Sequence, residues 1–76
     1  MKLRIRELRE DRDLTQREVA AVLHCDVSLY SKYERGERAI SLKAVMQLSQ
    51  FYNTSMDYIL GRVNDPRPYP PPKREE

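Results

Sequence analysis

The chain has 76 residues, 34% of them charged, with a formal net charge of +2 at pH 7 and a single cysteine. That length permits one small domain, of a size that buries only about 60% of its unfolded surface, and one thiol excludes an internal disulfide. A sequence pI near 8.8 permits nucleic acid without demanding it, and the lack of a signal peptide or long apolar run points to a cytoplasmic protein.

Lys2 to Arg12 reads as a first helix, with Ile5 and Leu8 inward and Leu3 at the edge. Its other positions are almost all charged. Glu7, Glu10 and Asp11 alternate with Arg4, Arg6, Arg9 and Arg12, which predicts a solvated face laced with ion pairs of about 0.2–0.5 kcal/mol each. Asp13 punctuates the chain and Leu14 drops back into the core. Thr15 opens a second helix, where Glu18 three residues on completes a capping box. Val19, Ala20, Val22 and Leu23 then form an apolar stripe at helical spacing.

His24-Cys25 interrupts that stripe, and Asp26 is a good cap for a third helix ending at Glu34 or Arg35. Gly36 stands where a helix terminus wants a left-handed residue. At about 100° per residue, Tyr30 and Tyr33 share the inward face with Leu29 on its flank. The opposite face collects Ser28, Ser31 and Arg35, with Val27 and Lys32 at its edges. Short polar side chains bordered by cations suit a solvated surface. They also suit base edges in a major groove with phosphates beside them.

Glu37 to Ile40 is a loop carrying Arg38. Ser41 caps a long helix with Leu42, Val45, Leu48 and Tyr52 inward, and with Met46 and Phe51 available to the core or to a subunit interface. Asn53 ends it, and Ser55 caps a short last helix, Met56 to Leu60, stopped by Gly61. Beyond Arg62 the chain holds all five prolines and almost nothing to bury, which predicts an extended polyproline-like tail over 62–76. Tyr69 within it has the means to dock on a neighbouring surface.

Leu14-Thr15-Gln16, Ala20 and Glu34-Arg35-Gly36, followed by Ser41-Leu42 and Ser55-Met56-Asp57-Tyr58-Ile59-Leu60-Gly61, resemble the helix-turn-helix of the phage-repressor and Cro-like (XRE) family. The likeness covers roughly residues 2 to 61. It implies an all-α, five-helix, lambda-repressor-like DNA-binding domain over 1–61, with the motif in helices 2 and 3. Carried over position by position, it implies base contacts from Val27, Ser28, Ser31 and Lys32. It implies phosphate contacts from Gln16 and Arg35, and more weakly from Arg38 and Lys43. His24 stands where the family usually has Gly; if the turn keeps its usual course, His24 has φ > 0, a region His tolerates better than most residues.

Neither a glycine-rich phosphate loop nor a nucleophile with its base is present, so no catalytic residues, enzyme activity or cofactor are assigned. His24 beside Cys25, without further Cys or His, supplies too few ligands for a metal. The resemblance implies a sequence-specific double-stranded-DNA-binding transcriptional regulator, a repressor binding an inverted repeat as a homodimer through residues 26–35. The dimer contact is expected at Met56 to Leu60, with Met46 or Phe51. A second reading is a protein-interaction module, such as the antitoxin of a toxin–antitoxin pair, with residues 62–76 on a partner protein.

Overall fold

A helix starts where something can take up the N–H groups that its first turn leaves unpaired. Four side chains in this sequence do so. In the computed structural model, which describes residues 3–70, Thr15, Asp26, Ser41 and Ser55 each accept from a backbone N–H three residues on. The elements are α1 (Ile5–Asp11), α2 (Gln16–Val22), α3 (Val27–Arg35), α4 (Leu42–Tyr52) and α5 (Met56–Ile59). No strand occurs among the described residues. Only α1 lacks a side-chain cap; Arg4, just before it, gives its N–H to the Ile59 carbonyl at 2.9 Å, joining the two ends of the domain. The expected first helix is thus shorter at the start, with Lys2 outside the described residues, and α5 ends one residue early.

Ile5, Val19, Ala20, Tyr30, Val45, Leu48, Tyr52 and Ile59 form one buried core drawn from all five helices. Leu3, Leu8, Leu14, Leu23, Val27, Tyr33 and Leu60 pack around it, half-buried. One inward assignment is corrected: Leu42 is 68% exposed. Ala44 fills the place instead, because Ala44, Val45, Leu48 and Tyr52 define the buried arc of α4 and Leu42 lies roughly 100° off its centre. Met46 and Phe51 are both exposed.

The charged helix α1 also departs from expectation. Among the described residues its only internal ion pair is Arg6–Glu10, at 3.5 Å. The other arginines reach across to different elements, since a long apolar stem lets the guanidinium cross the core edge. Arg4 lies 4.4 Å from the Tyr58 ring and donates to Asn64 Oδ1 at 2.8 Å. Arg12 donates to the Tyr52 carbonyl at the end of α4, and Arg9 goes to α3. Residues 62–70 bond back to the domain at several further points: the Arg62 N–H donates to the Asp57 carbonyl at 2.8 Å, Thr54 Oγ1 donates to the Pro66 carbonyl at 2.5 Å, and the Tyr69 hydroxyl donates to Asp57 Oδ2 at 2.8 Å.

Candidate nucleic-acid interface

The pair α2–α3 is set by local chemistry at both ends of each helix. Thr15 and Glu18 close their capping box reciprocally, with N···O distances of 2.9 and 3.1 Å. Between the helices the chain turns on His24, which has φ 56°, while the next N–H, that of Cys25, returns to the Ala20 carbonyl at 3.0 Å. A non-glycine residue in the left-handed region carries a backbone cost, and His24 bears it. Asp26 then accepts from Leu29 N–H at 2.7 Å and starts α3. Gly36, at φ 73°, ends it.

A buried polar cluster fixes how α3 is rotated. The Glu34 side chain, 4% exposed, accepts from Arg9 Nε at 2.7 Å and Nη2 at 3.2 Å, and from Gln16 Nε2 at 3.0 Å. Arg9 also donates to the Leu14 carbonyl. One carboxylate therefore holds α1, α2 and α3 together. Burial by itself would raise the Glu34 carboxyl; Arg9, the nearby Tyr30 hydroxyl and Gln16 outweigh it and hold the group below the usual carboxylate range. The Tyr30 hydroxyl is buried and faces this carboxylate without reaching hydrogen-bond geometry.

With Tyr30 and Glu34 turned inward, α3 presents Ser28, Lys32 and Arg35 exposed and Ser31 half-buried beside them. These four share one face. Val27 does not stand free with them: it is half-buried and packs on the core, because at about 100° per residue it lies roughly 60° from Tyr30. Arg35 is engaged on this face, pairing with Glu37 at 2.6 Å and donating to Ser31 Oγ. Gln16 is half-buried, one amide N–H spent on Glu34. Arg38 is exposed in the loop after α3, and Lys43 is exposed in the first turn of α4, lining a cleft with His24 and Cys25.

The cluster of Arg9, Gln16 and Glu34 went unread in the sequence. Its signal was present: Glu34 is one helical turn from Tyr30, hence on the inward arc, and a buried acid requires a cation from elsewhere. Arg9 is one turn from the buried Ile5. Cys25 is half-buried, and burial raises its thiol further from the reactive thiolate. Among the described residues no group of His, Cys, Asp and Glu is placed to hold a metal ion, and no helix is long and apolar enough to cross a membrane.

Comparison with known proteins adds an independent finding. The helix-turn-helix family profile matches residues 5–59. Over 65 residues the chain is 35% identical to YobD, an uncharacterized HTH-type transcriptional regulator of Bacillus subtilis (strain 168), covering 86% of this chain and 58% of that protein. It is 37% identical over 59 residues to the HTH-type transcriptional regulator ImmR of the same organism, covering 78% and 46%. It is 41% identical over 49 residues to the cryptic phage CTXphi transcriptional repressor RstR of Vibrio cholerae, covering 64% and 44%. The chain spans about half the length of these curated relatives. No solved structure matches it significantly.

Proposed function

Because the chain belongs to the XRE-type helix-turn-helix family, we propose that it binds double-stranded DNA through α3 and regulates transcription, as a cytoplasmic repressor acting as a homodimer on an inverted repeat. The observation that carries this reading is the face of α3. Its inward arc is locked by Tyr30 and by Glu34 with its partners, which leaves Ser28, Ser31 and Lys32 outward on a rigid helix. In a major groove, Lys32 donates to guanine O6 or N7, and the serine hydroxyls reach either kind of base edge. Val27, half-buried against the core, offers a thymine methyl only the exposed part of its side chain. Gln16, Arg35, Arg38 and Lys43 surround this face and supply the phosphate contacts that set register on the duplex.

The test is selection of bound duplexes from a random pool, repeated with Lys32→Ala. The substitution is expected to weaken binding to the selected site by about 1–3 kcal/mol and to relax preference at one base pair per half-site. A mutant profile identical to that of the unaltered protein would remove Lys32 from the base readers.

A further inference from the structure

Arg35 lies at the C-terminal end of the outward face of α3, and it is not free. Its Nε and Nη2, which form one edge of the guanidinium, donate to the two carboxylate oxygens of Glu37 at 2.6 and 3.4 Å. Its Nη1 donates to Ser31 Oγ on the groove-facing side. All three guanidinium nitrogens are thus occupied. Lys32, Arg38 and Lys43 form no ion pair among the described residues.

The clasp is built by the backbone rather than by a chance meeting of long side chains. Gly36 at φ 73° reverses the chain, and the Glu37 N–H returns to the Lys32 carbonyl at 2.9 Å. That closure sets residue 37 back against the last turn of α3, beside Arg35. The placement brings little to stability. An acid beside a helix C-terminus opposes the helix dipole, and with side chains 51% and 55% exposed the pair is well screened. Each partner still favours the other's charged form: the hydrogen bond from Arg35 lowers the Glu37 carboxyl, and the bond to Glu37 raises the Arg35 guanidinium.

A carboxylate gripping Nε and Nη2 side-on has the geometry in which the same edge takes two phosphate oxygens. We infer that Glu37 is an internal stand-in for a DNA phosphate, holding Arg35 closed until the duplex displaces it and thereby setting the sequence-independent affinity of this surface. The inference rests on the DNA-binding reading above. While the clasp is shut, the Arg35–Glu37 pair brings no net charge to the DNA and displaces no condensed counterion. Opening it releases one cation to the backbone.

The experiment measures binding of random-sequence duplex over a series of salt concentrations for the unaltered chain, Glu37→Gln, Arg35→Ala and the double variant. Glu37→Gln keeps the side-chain length while removing the competing charge. It should tighten binding about two- to fivefold at low salt, the range that an exposed ion pair can withhold. It should also steepen the log–log salt dependence by up to about 0.9. On the Arg35→Ala background most of that gain should disappear. Equal gains on both backgrounds would mean that Glu37 merely repels phosphate, and no gain on the unaltered background would mean that the clasp opens freely; either overturns the inference while leaving DNA binding in place. Absence of duplex binding by the unaltered chain would instead defeat the DNA reading, and the clasp with it.

Discussion

A single carboxylate, Glu34, is where three helices meet. Its folded titration lies below the ordinary value near 4.5, because Arg9, Tyr30 and Gln16 outweigh the burial that opposes ionisation. A lowered folded value stabilises the fold fully above the unfolded value, and that contribution is lost as pH falls through the folded one. Replacing Glu34 by Gln leaves the Arg9 guanidinium, whose side chain is 14% exposed, without its charge partner. The expected cost at pH 7 is about 2–3 kcal/mol, a large share of a small domain's stability. Urea midpoints measured from pH 7 downward check both parts. The gap between Glu34→Gln and the unaltered chain should be constant to about pH 5 and should narrow below it as the native carboxylate protonates. A gap that stays constant into strong acid would show that Glu34 acts through shape and not through charge.

The turn between α2 and α3 is a connection with one awkward residue. His24 at φ 56° holds a conformation that glycine adopts without a Cβ penalty, and its side chain is exposed. His24→Gly removes that penalty of about 1–2 kcal/mol while adding chain entropy to the unfolded state. The urea midpoint should therefore rise or hold. His24→Val should lower stability by more than about 1 kcal/mol, since a β-branched residue is a true outlier there. Affinity for the selected duplex should barely change with Gly, because residue 24 lies outside the α3 face. If Val matched His in midpoint at unchanged m-value, the strain assigned to this turn would be absent.

One recognition helix spans too few base pairs to single out a site among about 10⁶ or more competitors. Pairing doubles the length that is read. Two protomers with half-site centres about 34 Å apart are expected on the selected duplex, and sedimentation at saturating protein should find two chains per duplex. A one-to-one complex would rule out the dimer. Of the residues expected at that contact, Ile59 is buried in the core, and Leu60 borders a groove of about 750 Å³ that Leu3 and Ile40 share with Arg35 and Arg38. Met46 and Phe51 do not serve together: five positions apart, they point about 140° apart around α4.

Helix positions and faces were legible in the chain because their signals act over three or four residues. Thr15 with Glu18, Asp26, Ser41 and Ser55 cap in the structure as their spacing indicates, and Gly36 and Asn53 end α3 and α4 in the left-handed region. The motif residues placed the family, and Tyr30 facing inward was enough to turn Ser28, Ser31 and Lys32 outward. Partners far apart in sequence were settled only by the tertiary structure. Arg9 belongs to Glu34, 25 residues away, and not to the acids of its own helix; Arg12 belongs to a carbonyl 40 residues on. A long side chain chooses among all the acceptors it can reach, and burial decides which choice is strongest. That choice exists only once α1, α3 and α4 have come together.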